Sequence, residues 1–263
     1  MAVDFSIIIP TFENTDLLKR ALDSVLKQKE VSYEVIIVDD SPSSVIADYM
    51  ENRCCENVLY YHNEQHSGAV NNWNYGASLA KGQYMLLLHH DEALTDTEHL
   101  KKCLHRFSQG YDVVLSNIEI HKTHTIRKGI CPYPIKKIVI RHPFLLFILN
   151  IIGPCACVIL KRELFQPFDA GLCWHVDLEW YYRMFSNHRV YYSRDLYISS
   201  LFGHKGQISV NIDVIKKGTD DFRVFKNKYK QNRKVRVTAS IGHLLLLLRF
   251  SIKQKTNRDG VCF

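Results

Sequence analysis

Polar and acidic residues gather in this 263-residue chain where short apolar runs stop. Thr11-Phe-Glu13 follows Ile7-Ile-Ile-Pro10, Asp39-Asp40 follows Val35-Ile-Ile-Val38, and His89-His90-Asp91-Glu92 follows Met85-Leu-Leu-Leu88. A fourth stretch, Asn63 to Gly82, is rich in Asn and Gly. Carboxylate oxygens are hard donors for Mg²⁺ or Mn²⁺. A carboxylate beside a reacting hydroxyl can also take its proton. Turns favour Asp, Asn and Ser for capping alone, so a single cluster says little and the ordered set says more. Farther on, Trp174-His-Val-Asp-Leu-Glu-Trp-Tyr-Tyr-Arg183 carries Asp177 and Glu179. On a helix these two point to different faces, so only one can serve a given task.

The intervening elements must bring the clusters together. Phe5–Ile9 and Tyr33–Val38 are continuous β-branched runs of the kind that forms buried parallel strands. Leu17, Leu18, Ala21, Leu22, Val25 and Leu26 recur at helical spacing after a candidate N-cap at Asn14 or Thr15. A helix over Val45–Asn52, a strand over Val58–Tyr61 and a helix over Ala69–Lys81 capped by Gly82 follow. Then come a strand over Tyr84–Leu88, a helix over Leu100–Phe107 and a strand over Val113–Leu115. This alternation predicts an α/β fold with a mostly parallel sheet covered by helices. Ligands sit beyond the carboxyl ends of such strands, where Thr11, Asp39, Asp40, Asp91 and Glu92 fall. Phe144–Leu160 is apolar but interrupted by Asn150, Gly153 and Pro154, which predicts a buried element or a membrane-facing lip rather than a span.

The ordered motifs from Phe5 to Arg183 resemble the family 2 glycosyltransferases, which have the GT-A fold and move a sugar from a nucleotide-sugar donor. The resemblance implies a GT-A type, Rossmann-like nucleotide-binding domain over residues 1–212. Its nucleotide-sugar half would run to about 118 and its acceptor half over about 119–212, with a basic helical extension over 213–263. It implies that Pro10, Thr11, Glu13, Asp39, Asp40, Gly68, Asn74 and His90 line a UDP-sugar. Asp40 would accept the uracil N3–H, because the imide edge offers one donor between two carbonyls. Gly68 would let backbone approach the donor at a helix N-terminus.

Two departures from the family pattern matter. Trp73 stands where many members have Arg, so its charge would have to come from elsewhere, with Lys81 and His204 as candidates. The usual Asp-x-Asp is replaced by His89-His90-Asp91-Glu92. The implied metal ligands are Asp91, His89 and His204, and an imidazole among them favours Mn²⁺ over Mg²⁺. On the acceptor side, spacing to Arg183 selects Asp177 as general base, with Glu179 as the runner-up.

Composition bounds the alternatives. Hydrophobic residues make up 46% and charged residues 23%, which excludes disorder and collagen-like chains. Eight Cys carry no C-x-x-C pair, so zinc spacing is absent and reduced cytosolic thiols are expected. The opening apolar stretch is interrupted by Asp4 and Pro10, unlike a secretory signal. No G-x-G-x-x-G follows the first strand, which disfavours a dinucleotide oxidoreductase. Thirteen Lys/Arg against two Asp between Val214 and Arg258 give a basic tail on a slightly acidic body. With Phe225, Tyr229 and Val235 interleaved over Phe222–Arg236, and Leu244–Leu248 beyond, the tail predicts a helix lying on an anionic membrane. The expectation is therefore an inverting, metal-dependent enzyme of bacterial surface-polysaccharide synthesis. It would be cytoplasmic and peripheral on the inner membrane face, acting on a lipid-linked glycan and not on nucleic acid. The competing expectation is a non-catalytic nucleotide-sugar or nucleic-acid binder with a degenerate metal motif.

Overall fold

The computed structural model describes residues 3–51, 53, 56–122, 124–204, 207 and 213–258, with side chains through 249. Cys54, Cys55 and Cys262, the helix end expected at Asn52, and most of the stretch after His204 lie outside the described residues.

Four strands follow from the apolar runs: β1 (Phe5–Thr11), β2 (Tyr33–Asp39), β3 (Val58–His62) and β4 (Tyr84–Leu87). They lie side by side in the order β3-β2-β1-β4, all parallel. The whole of β1 is buried, as its unbroken β-branched run requires. Helices α1 (Thr15–Leu26), α2 (Val45–Glu51) and α3 (Ala69–Ser78) link them. Asn14 caps α1, its side chain accepting from the Leu17 N–H at 3.0 Å.

Beyond β4 the sheet becomes mixed. It continues through β8 (Val158–Lys161), β6 (Val113–Lys122), β9 (Val190–Leu201) and β5 (Glu92–Leu94), with β7 (Thr125–Lys128) paired to β6. Here only β6 and β9 run parallel. Helices α4 (His99–Ser108), α5 (Tyr133–Arg141) and α6 (Val176–Ser186) complete this half. The apolar stretch near residue 150 supplies a short 3-10 turn (Pro143–Phe147), a second one (Cys155–Cys157) and then β8. Leu146, Phe147, Ile152 and Cys157 are fully buried, so this is a core element and not a lip.

Three local expectations are corrected. Helix α3 ends at Ser78 rather than Lys81, and Gly82 is not its cap. A Cβ on Gly82 would stand 2.5 Å from the Ser6 N and 2.6 Å from the Phe5 C, so glycine there permits close approach to β1. The basic tail is two helices, α7 (Val214–Lys228) and α8 (Arg233–Arg258), not one amphipathic helix over 222–236. Their apolar residues Phe222, Phe225, Val235 and Ala239 are buried against the body. Phe225 meets Phe147 at 4.9 Å between ring centroids, and Gly218 and Gly242 let Leu246, Phe222 and the 3-10 turn pack closely. Phe222, Phe225, Val235 and Ala239 of these helices thus share the core that the sheet builds. No helix among the described residues is long and apolar enough to cross a membrane.

Phe225→Ala is expected to lower unfolding free energy by about 3–5 kcal/mol, the usual cost of emptying a packed aromatic site. Urea denaturation measures it, and unchanged stability would return Phe225 to a lipid-facing role.

Candidate active site

The carboxyl ends of β1, β2 and β4 form one edge. Pro10 and Thr11 close β1, both buried. The Thr11 Oγ1 lies 3.2 Å from His90 Nδ1, and the Phe12 N–H points at the same nitrogen at 3.4 Å. A ring nitrogen facing an N–H is an acceptor, so the His90 proton is assigned to Nε2. Burial pushes its pKa down to about 4, leaving the imidazole neutral.

Asp39 and Asp40 are almost fully buried, and both are taken up by turns. Asp39 Oδ1 accepts from the Ser41 N–H at 3.0 Å and its Oδ2 from the Tyr60 hydroxyl at 2.8 Å. Asp40 Oδ1 accepts from Asn63 Nδ2 at 3.0 Å and the Ser67 N–H at 2.9 Å. Its Oδ2 accepts from the Gly68 N–H at 3.0 Å and faces His66 Nδ1 at 2.7 Å. Burial opposes the charge, yet Ser67, Asn63 and His66 hold the Asp40 carboxyl below its usual range. Asp40 thus anchors the loop ahead of α3, and an incoming uracil would have to displace one of these donors. Gly68, at φ +82°, begins α3 with no atom near a would-be Cβ, so open space lies in front of the helix start. Glu13 also holds a left-handed backbone at φ 53°, its N–H donating to Ser41 Oγ and its carboxylate accepting from the Ser43 N–H.

Asn74 and Lys81 are corrections. The Asn74 amide is pinned to the backbone of Phe168, donating at 2.9 Å and accepting at 2.8 Å, so it braces two segments rather than facing a donor. The Lys81 N–H donates to Ser6 Oγ and Glu34 Oε1, at the amino ends of β1 and β2. That is the opposite edge of the sheet, where its charge cannot replace the missing arginine. Trp73, which occupies the arginine's position, packs against His89 with ring centroids 4.7 Å apart.

His89, Asp91 and Glu92 present one ligand atom each within 4.8 Å of one another. One imidazole and two carboxylates fit a hard or borderline divalent cation. Each carboxylate is met inside the chain by an imidazole: Glu92 Oε2 by His89 Nδ1 at 3.3 Å, Asp91 Oδ2 by His204 Nε2 at 3.2 Å. Burial disfavours a charged His89, but Cys155 and Glu92 beside it hold the ring's pKa well above the ordinary value. This is compensation that a cation would supply instead, so the donor set fits one. The Asp91 carbonyl is held in turn by Arg20 Nη1 at 3.1 Å and the Leu201 N–H at 3.0 Å.

Asp177 opens α6, and its Oδ1 is buried without a hydrogen-bond partner. Burial raises its pKa, offset in part by the His89 charge and by Cys155. Cys155 touches both, its Sγ 3.5 Å from His89 Nε2. Asp177 and the His89–Asp91–Glu92 group therefore belong to one cluster joined through His89. Glu179 is excluded as its substitute. It is fully buried on another face of α6, bonded to Arg183 Nε at 3.0 Å, Lys228 Nζ at 3.0 Å and the Tyr229 hydroxyl.

Sequence motifs leave three participants unmarked. Glu92 lies beside Asp91 in its motif, and that place is the available signal. Cys155 has no metal-site spacing to mark it. Arg20 on α1 carries no local signal, since only the fold brings it here.

Comparison with known proteins adds a common ground. The sequence model described as Glycosyl transferase family 2 matches residues 6–167. The chain is 28% identical over 126 residues to GalNAc(5)-diNAcBac-PP-undecaprenol beta-1,3-glucosyltransferase of Campylobacter jejuni. That match covers 47% of this chain and 40% of the relative, less than half its length. Among solved structures, S. aureus TarS 1-349 in complex with UDP-GlcNAc superposes with a TM-score of 0.65 at 19% identity, covering 85% of this chain and 67% of that one. Mannosyltransferase PcManGT of Pyrobaculum calidifontis, in complex with GDP-Man and Mn²⁺, gives 0.62 at 14% identity, covering 94% and 70%. Both likenesses bear on the fold alone.

Glu92→Gln is expected to weaken Mn²⁺ binding by about 10- to 100-fold in isothermal titration, the scale on which altering a metal site's carboxylate support acts. Glu179→Gln should leave it unchanged. Equal affinity in Glu92→Gln and the parent chain would remove Glu92 from the ligand set.

Proposed function

Because this chain belongs to glycosyl transferase family 2 and has the GT-A fold, we propose that it transfers a sugar from a UDP-sugar to a hydroxyl of a lipid-linked glycan with inversion at the anomeric carbon. One observation carries the reading: a buried carboxylate oxygen of Asp177 without a partner, in the same cluster as the His89–Asp91–Glu92 donor set. An in-line displacement needs a proton acceptor on one side of the anomeric carbon and compensation for a diphosphate on the other.

In this reading the acceptor O–H gives its proton to Asp177 Oδ1 while its oxygen bonds to the anomeric carbon. The bond from that carbon to the diphosphate oxygen breaks, and UDP leaves. Burial that raises the pKa of Asp177 makes it a stronger base than an exposed carboxylate. His89, Asp91 and Glu92 would hold a divalent cation, which would supply positive charge to a departing diphosphate, and an imidazole in the donor set would favour Mn²⁺. His204 meets the Asp91 carboxylate and Arg20 the Asp91 backbone carbonyl, so both fix Asp91. The open N-terminus of α3 at Gly68 offers N–H groups to phosphate oxygens, and Pro10, Thr11, Glu13, Asp39, Asp40 and His90 shape the nucleoside end.

The C. jejuni relative is named for an undecaprenol-diphosphate glycan, which supports a lipid-linked substrate here. The membrane contact we propose uses the outward face of α8. Val237, Ile241, Leu244 and Leu248 recur at helical spacing opposite the buried Val235 and Ala239, and Leu244 is 57% exposed. Arg233, Lys234, Arg236 and Arg249 flank them, each worth about 1 kcal/mol beside an anionic leaflet. Leu246 of the same helix packs toward Gly218 and so toward Trp174 and His175, just ahead of Asp177. A polyprenyl chain could then stay in the bilayer while its glycan reaches the base, which suits surface-polysaccharide synthesis on the cytoplasmic face.

Asp177→Asn is expected to lower UDP release in the presence of Mn²⁺ and a lipid-diphosphate glycan by about 10²- to 10⁴-fold, the range for general-base loss, while UDP still binds. Full turnover in that variant would move the base elsewhere. Sedimentation with anionic vesicles checks the second part. Paired Leu244→Ser and Leu248→Ser substitutions should reduce the bound fraction, and unchanged binding would remove α8 as the contact.

A further inference from the structure

Asp177 Oδ1 is buried without a hydrogen-bond partner, so apart from the carboxylate's contact with Cys155 its aim depends on where α6 stands. Two anchors bracket it, and both come from α7. Ahead of it, the Asp221 carboxylate accepts three successive backbone N–H groups: Cys173 at 3.0 Å on Oδ1, Trp174 at 2.8 Å and His175 at 2.7 Å on Oδ2. Behind it, Lys228 and Tyr229 grip the buried Glu179 one turn into the helix, and Lys228 also reaches Asp169 at 2.6 Å. A carboxylate 2% exposed is costly to bury unless its oxygens are filled, and here they are filled by one segment of backbone. Burial opposes its charge, yet the His175 ring and the three N–H groups hold the Asp221 carboxyl below the usual range. Its negative charge also faces the N-terminal end of α6, the favourable end of that helix's dipole.

We propose that Asp221 is a positioning residue, which fixes the start of α6 through residues 173–175 and thereby sets the aim of Asp177 at the acceptor hydroxyl. This rests on the reading of Asp177 as the base. Residues outside the family match at 6–167 are thus part of the catalytic apparatus, and α7 serves the chemistry rather than only tethering the chain.

Asp221→Asn keeps the shape but sets an amide NH₂ where an oxygen accepted N–H groups. A shift of about 1 Å in a catalytic group costs on the order of 10²-fold in rate. The expected result is a fall of about that size in kcat for transfer to the acceptor with the donor KM unchanged, alongside a lower melting temperature because buried N–H groups lose an acceptor. A rise in donor KM together with the loss of kcat would mark a merely structural role and overturn the proposal. Asp177→Asn runs in parallel. Full turnover there overturns the base assignment and the coupling with it; loss there with none in Asp221→Asn overturns the coupling alone. Hydrogen exchange on the unmodified chain needs no variant to fold. Slow exchange at the amides of Cys173, Trp174 and His175 is expected, and rapid exchange at all three would overturn the clamp.

Discussion

Asp39, Asp40 and Glu92 lose nearly all contact with water, and Asp177 is enclosed at its reactive oxygen. A carboxylate in that setting must find donors, a counter-charge or a proton. Asp39 and Asp40 find hydroxyl and backbone donors, and Glu92 finds His89. Of these four, only Asp177 has a fully buried oxygen without a hydrogen-bond partner. The organisation of the site follows from that inequality: filled carboxylates hold loops in place, and the unfilled one is left to act.

The sheet explains why these groups meet. Parallel strands β2, β1 and β4 all end at one edge, so turns far apart in the chain become neighbours there. The antiparallel entry of β8 after the Cys155–Cys157 turn then carries Cys155 to His89, and α6 follows with Asp177. His89 is the shared member, facing Glu92 on one side and reaching Cys155 and Asp177 on the other. Trp73 packs on the same ring, so this chain places an aromatic face where its family commonly has a cation.

The parallel half of the fold was legible because each strand is a continuous β-branched run and each helix a clear apolar stripe. The family fold was legible in the order of motifs, and the spacing to Arg183 pointed at Asp177 rather than Glu179, which the structure finds bonded to Arg183, Lys228 and Tyr229. Other roles were hidden because residue type alone does not reveal which partners are already taken. Asp40 reads as a base-binding carboxylate until its loop donors are seen, and Asn74 as a donor contact until Phe168 is seen across from it. The tail misled for a related reason. Aromatic residues among lysines satisfy a membrane pattern and a core-packing pattern equally, and only Phe147 and Glu179 decide between them for Phe225 and Tyr229.

The most direct test of the account is a crystal structure of the chain soaked with Mn²⁺ and UDP. The account predicts the cation on Asp91 with His89 and Glu92 as fellow ligands, the diphosphate against it, and Asp177 Oδ1 open to the same cavity. Nucleotide and cation bound away from these residues, for example in the groove between α1 and β5 lined by Lys27 and Thr95, would contradict it.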